Sequence, residues 1–187
     1  LHARSPSTAD LQRRRARLAV YFTMRGKDAM HRRMPRRTTT ILPRGVKDAV
    51  LRLGRREVRV TNLDKVFWPD LGITKGALIE YYVSVAEYLL PHVRDRAMVM
   101  KRYPNGAAGD FFFMKRAPTP RPAWIETCTI DHGSGNVIDF PMIQDLASLL
   151  WVVNLGCIDL NPWYARCDDV DRPDYLHFDL DPVPGAT

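Results

Sequence analysis

Leu78, Tyr81, Tyr82, Val85, Ala86, Leu89 and Leu90 recur at i, i+3, i+4, i+7, i+8, i+11 and i+12. At 3.6 residues per turn these positions form one apolar stripe, so this segment is an amphipathic helix that must bury a face against other elements. Thr74 stands where an N-cap belongs, and Pro91 is where the helix is expected to end.

Around this helix the pattern shortens to strand length. Val58-Arg59-Val60-Thr61 alternates and is β-branched, and the polar stretch from Asn62 to Thr74, with Pro69, Asp70 and Gly72, has loop chemistry. Further runs with strand composition cover 97–101, 111–115, 124–130 and 136–140, separated by Pro104-Asn105-Gly106, Pro118 to Pro122 and Gly133-Ser134-Gly135. Leu146, Leu149, Leu150 and Val153 predict a second helix over 144–154, and 157–160 and 175–180 read as two closing strands. Two main helices and mixed or antiparallel strands without strict βαβ alternation indicate an α+β fold. No internal repeat is present.

The 187 residues are enough for one hydrophobic core, but their charge is unevenly spread. Residues 1–56 hold 16 Lys+Arg against 3 Asp, a net of +13, whereas 57–187 hold 12 Lys+Arg against 18 Asp+Glu, a net of −6. The chain therefore divides into an Arg-rich leader over 1–56, expected to be disordered, and a folded unit over 57–187. The leader is a phosphate-neutralising arm, an untailored extension, or a segment with the composition of an organelle transit peptide. The longest N-terminal apolar stretch, Leu18 to Met24, is too short and too Arg-flanked for a signal peptide, and no run spans a bilayer. Cys128, Cys157 and Cys167 match neither a C-x-x-C metal site nor a disulfide framework, so they are expected to be reduced thiols in a cytoplasmic protein.

The sharpest chemical feature is Asp179-Leu180-Asp181 after the apolar run from Tyr175 to Phe178. On a strand, residues i and i+2 share a face about 6.5–7 Å apart. Two carboxylates so placed suit hard divalent cations, as in two-metal displacement at phosphorus. A pair of aspartates before Pro182 also serves as a solvated turn.

Several segments read in order carry a resemblance. Val58 to Lys75 (V-R-V-T-N-L-D-K-V-F-W-P-D-L-G-I-T-K), the Glu80-Tyr81-Tyr82 helix, Lys101-Arg102-Tyr103-Pro104-Asn105-Gly106, Phe111-Phe112-Phe113-Met114-Lys115 and Phe178-Asp179-Leu180-Asp181-Pro182 closely resemble the polymerase domain of bacterial DNA ligase D. That family belongs to the archaeo-eukaryotic primase superfamily and acts in bacterial non-homologous end joining. The resemblance covers about Glu57 to Thr187 and implies the N-terminal half of a primase-polymerase fold.

It also implies roles. Asp179 and Asp181 match metal-binding, catalytic aspartates that hold magnesium or manganese, with two ions in the intact family. Asn62, Lys65 and Lys75 match residues that grip the 5′-phosphate of a DNA end. Lys75 has a physical basis of its own, since the first helical residue after the Thr74 cap lies where free backbone N–H groups and the helix dipole favour an anion. Phe112 and Phe113 match aromatics that stack on template bases; alternation requires at least one of the three phenylalanines to face the core, and one of Phe112 and Phe113 is expected to be exposed. Lys101 and Arg102 resemble a basic pair near template or nucleotide, although two solvated charges on an edge strand would look the same.

Two departures stand out. Asn161-Pro162-Trp163 replaces the family's usual His before Pro-Trp, so Asn161 could donate a hydrogen bond to a phosphate or nucleotide but carries no charge. Family members also continue for roughly another hundred residues, with a third carboxylate and the groups that hold the triphosphate. The expectation is a truncated primase-polymerase with little or no nucleotidyl transfer of its own. A non-catalytic module for 5′-phosphorylated DNA ends and a nonfunctional split-gene product are the alternatives. The resemblance implies DNA ends, nucleoside triphosphates, an end-joining ligase and Ku-type proteins as partners, and a cytoplasmic, nucleoid-associated location without a membrane.

Overall fold

The structure is a computed structural model that describes residues 40–132 and 135–178. In chain order it contains β1 (Ala49–Leu53), β2 (Arg56–Val60), β3 (Val66–Trp68), a 3₁₀ turn (Pro69–Leu71), β4 (Ile73–Thr74), α1 (Lys75–Val93), β5 (Met98–Arg102), β6 (Phe112–Met114), β7 (Thr127–Asp131), β8 (Val137–Pro141), α2 (Leu146–Asn154) and β9 (Cys157–Pro162). The mixed α+β class expected from the sequence is present, and every strand pair is antiparallel.

The hairpin β1–β2 runs in register from Ala49↔Val60 to Leu53↔Arg56. Ordered structure thus begins upstream of Glu57, the boundary suggested by charge. Leu51, Val58 and Val60 point into the core while Val50, Arg52, Glu57 and Arg59 face out, so a buried period of two lies hidden in Arg-rich composition. The stretch from 62 to 74, read as loop, holds the short pair β3–β4, joined through Gly72 at φ 63°.

Helix α1 starts where its cap predicts: the Thr74 Oγ1 accepts from the Ala77 N–H at 3.2 Å. It continues through Pro91 to Val93, because proline in the last turn forfeits only one ladder bond and the Arg94 N–H still closes on the Leu90 carbonyl at 3.1 Å. Its buried face is Leu78, Ile79, Tyr82, Ala86, Leu90 and Val93, so the stripe is rotated from the expected one and Tyr81 is exposed. Helix α2 is capped by Asp145 and Ser148, each side chain accepting from the other's backbone N–H, and is buried from Ala147 to Val153.

Strand β5 is central in the sheet β6–β5–β9, which α1 reaches through the Tyr82 hydroxyl, donating to the Ile158 carbonyl at 2.7 Å. The hairpin β7–β8 carries a smaller core of Ala97, Cys128, Ile130, Ile138, Phe140 and Met142. There the expectation of three reduced thiols fails: Cys128 and Cys167, 39 residues apart, form a disulfide, and Cys157 alone is free and buried. Residues 175–178, expected to begin a strand, are in no ladder, and Leu176 and Phe178 are exposed; apolar composition makes a strand only where a neighbour can pair. Among the described residues no helix is long and apolar enough to cross a membrane.

Candidate nucleic-acid interface

The residues expected to hold a 5′-phosphate come together. Asn62 adopts φ 54°, a left-handed conformation that asparagine tolerates better than most side chains, and its carbonyl accepts from the Lys65 N–H at 3.0 Å. This turn is stitched to the start of α1: the Lys75 N–H donates to the Lys65 carbonyl at 2.8 Å and the Gly76 N–H to the Leu63 carbonyl at 2.9 Å. A Cβ at position 76 would lie 3.0 Å from that Leu63 oxygen, so glycine permits the close approach.

With the Ala77 N–H held by Thr74, the first three N–H groups of α1 are all satisfied. The expected anchoring of an anion by free helix N–H groups is therefore corrected, because the 62–65 turn occupies the first two and Thr74 the third. The positive charge comes instead from side chains. Lys75 is buried, and its Nζ donates to the Thr61 carbonyl at 2.8 Å. An ammonium has three donors, and the other two find no partner among the described residues. Burial, reinforced by repulsion from Lys65 and partly offset by Asp48, pushes the Lys75 ammonium down to about 8. Lys65 Nζ donates to the Pro104 carbonyl at 2.6 Å and to Asn105 Oδ1 at 3.3 Å. The loop it grips is fixed further by the Ala107 N–H on the Phe67 carbonyl, and a Cβ at Gly106 would meet that same oxygen at 2.9 Å.

That loop leads to the aromatic strand. β6 pairs with β5 through Lys101↔Phe113 and Arg102↔Phe112. None of Phe111, Phe112 and Phe113 is buried: Phe112 is 41% exposed and Phe113 58%, while Phe111 is half-buried. The alternation that should have turned one of them inward fails because β6 is a three-residue edge strand, and only Met114 packs on the core.

Lys101 and Arg102 lie on the central strand, not an edge, and both are held by the protein. Lys101 Nζ is 3.1 Å from Asp159 Oδ2 and 4.2 Å from the centre of the Phe111 ring. Burial lowers its affinity for the proton, but bonds to Tyr103 and Asp159 outweigh this and raise it overall. Arg102 Nε donates to the Leu155 carbonyl at 2.8 Å, and its guanidinium lies 5.2 Å from the Phe112 centroid; burial lowers its pKa. Asn161 is exposed on β9, and its amide donates to the Val99 and Asp159 carbonyls at 3.3 and 3.2 Å, so its donors already serve the sheet.

Two residues that sequence reasoning left without a role join the site: Asp159, which also accepts from the Tyr103 hydroxyl at 3.0 Å, and Asn105. Tyr103 and Asn105 were visible only as parts of the Lys101–Gly106 segment, and Asp159 had no local signal. Asp179 and Asp181 lie outside the described residues. The chain leading toward them is pinned by buried Arg96, which donates to the Tyr164 carbonyl at 2.9 Å and to Asp174 Oδ2 at 2.7 Å and holds the Asp174 carboxyl below its usual range.

A family model described as "LigD, primase-polymerase domain" matches residues 74–187. The multifunctional non-homologous end joining protein LigD of Mycolicibacterium smegmatis is 37% identical over 132 residues, 70% of this chain and 17% of that protein. The bifunctional LigD of Bacillus subtilis is 30% identical over 126 residues, 67% of this chain and 20% of that protein. The chain thus spans about a fifth of the curated relatives it matches. Among solved structures, the polymerase domain from Mycobacterium tuberculosis ligase D in complex with DNA is 33% identical with a TM-score of 0.55, covering 57% of this chain and 37% of that one. With the family match spanning residues 74–187 and the relatives agreeing, this chain belongs to the LigD primase-polymerase domain family.

Proposed function

We propose that this chain is a ligase D-type primase-polymerase module of bacterial non-homologous end joining that captures 5′-phosphorylated DNA ends. The observation that carries the reading is the convergence of Asn62, Lys65 and buried Lys75, whose ammonium keeps two donors without a partner among the described residues. A terminal phosphate supplies the missing acceptors and the opposite charge. Phe112 and Phe113, exposed on an edge strand beside that site, stack on template bases whatever their identity. Lys101 and Arg102 act behind this platform, and Asn161 is available to phosphate or nucleotide only by giving up a bond to the sheet.

Asp179 and Asp181 offer the all-oxygen donor chemistry that suits magnesium or manganese, and a bound ion would supply charge stabilisation for phosphoryl transfer. Nucleoside triphosphates, an end-joining ligase and Ku-type proteins complete the proposed set of partners. Because the chain covers 37% of the solved polymerase domain, the 187 residues alone are proposed to bind ends with little or no nucleotide transfer. Manganese-dependent primer extension that vanishes in Asp179→Ala would contradict that last point.

The test of the reading is equilibrium binding of two recessed DNA ends that differ only in a 5′-phosphate or 5′-hydroxyl. A clear preference for the phosphate is expected, and equal affinities overturn the reading.

A further inference from the structure

The hairpin β1–β2 lies outside the matched family segment and carries a strong charge. From Arg44 to Arg59 there are six cations, Arg44, Lys47, Arg52, Arg55, Arg56 and Arg59, against Asp48 and Glu57, a net of +4. Both acids are engaged: Asp48 Oδ1 accepts from the Asn62 N–H at 2.8 Å, and Glu57 pairs with Arg52. Arg56 pairs with Asp145. Arg44, Lys47, Arg55 and Arg59 are exposed and have no ion-pair partner among the described residues. An exposed cluster of one sign beside a net-acidic body fits a regular polyanion.

The hairpin is also continuous with the candidate phosphate site. The Leu63 N–H donates to the Lys47 carbonyl at 2.8 Å, and the bond from Asn62 to Asp48 fixes the same turn from the same side. Strand β1 is five residues long, about 17 Å at 3.4 Å per residue, which is close to the axial length of five base pairs.

We propose that the β1–β2 hairpin is a second DNA-contacting element, in which Arg44, Lys47, Arg55 and Arg59 hold the backbone phosphates of the duplex that follows the captured 5′-phosphate. This rests on the phosphate-site reading above and extends it from the terminal phosphate to the neighbouring helix. It assigns part of the chain's basic character to the folded unit.

Fluorescence anisotropy on the full chain tests it, using recessed 5′-phosphorylated ends followed by about 12 or about 3 base pairs of duplex. In Arg55→Gln/Arg59→Gln, the slope of log affinity against log salt on the longer duplex should flatten by about two, near 0.9 for each phosphate no longer neutralised. The preference for phosphate over hydroxyl should persist, the shorter duplex should be bound as by wild type, and Arg55→Lys/Arg59→Lys should keep the wild-type slope. An unchanged thermal midpoint verifies folding. A wild-type slope and affinity in the Gln variant on the longer duplex overturn the proposal. If wild type binds phosphate and hydroxyl ends equally, the phosphate site falls instead, and the hairpin loses its assigned place beside it even if the slope changes.

Discussion

The Lys65 ammonium donates to the Pro104 carbonyl at 2.6 Å, tying the turn that bears Asn62 to the loop that leads into the exposed aromatic strand. The proposed phosphate site and the proposed stacking platform are thereby one unit. Lys65→Met is expected to weaken binding of a 5′-phosphorylated end and also to destabilise the fold by about 1 kcal/mol, the scale of a charge-assisted hydrogen bond at a partly exposed site. Urea denaturation alongside binding checks this, and a loss of binding with wholly unchanged stability would break the proposed link between turn and loop.

The depressed Lys75 pKa, about 8 against 10.5 in an ordinary lysine, predicts opposite trends in binding and stability. Between pH 8 and 10.5 the unfolded chain holds a proton that the folded chain has released, so this residue's contribution makes stability rise with pH across that window. Affinity for a phosphorylated end should fall over the same range, by about tenfold per pH unit where Lys75 is neutral, because the phosphate needs the ammonium. Denaturation and binding series from pH 7 to about 10.5 on wild type and Lys75→Met should differ in this way. Parallel curves for the two proteins would refute the assignment to Lys75.

Phe113, 58% exposed, contributes little to the core. Phe113→Ala should cost about 1–3 kcal/mol in binding to an end with a single-stranded overhang, the scale of one base stacked on one ring. Its stability should shift by less than about 0.5 kcal/mol, and blunt-end binding should be unaffected. Equal losses on blunt and overhanging ends would argue against template stacking.

The Cys128–Cys167 disulfide closes a loop of 39 residues between β7 and the segment after β9. Loop-closure entropy for that length is worth about 4 kcal/mol at most, so reduction should lower the melting temperature measurably. Cys157, buried and with its thiol pushed up to about 12 mainly by burial, should stay unreactive until the chain unfolds. Thiol titration with and without denaturant, beside a melting curve in reductant, tests both statements; a native protein exposing three thiols would contradict the disulfide.

Features set by local spacing were readable from the chain. The helix itself and its cap at Thr74 needed only helical geometry, although its buried face takes in Ile79 and leaves Tyr81 outside, and the two helices and most strands fell within a few residues of their expected places. What escaped depends on contacts between distant segments. The alternation of Val50, Leu51 and Arg52 in β1 was masked by Arg-rich composition, and Cys128 and Cys167 have no local motif to pair them. Lys75 followed the Thr74 cap as expected, yet only the folded chain reveals that Leu63 and Lys65 use the helix N–H groups that an anion was expected to meet. Likewise alternation placed at least one of Phe111, Phe112 and Phe113 in the core and left one of Phe112 and Phe113 exposed, whereas on the short edge strand β6 none of the three is buried.

The most direct test of the central claim, that Lys75 meets the terminal phosphate, is ¹⁵N-lysine NMR of the Lys75 Nζ against pH, with recessed DNA ends bearing either a 5′-phosphate or a 5′-hydroxyl. The phosphorylated end should move the Lys75 pKa upward from about 8 while the hydroxyl end leaves it near that value; the same Lys75 titration with both ends would contradict the claim.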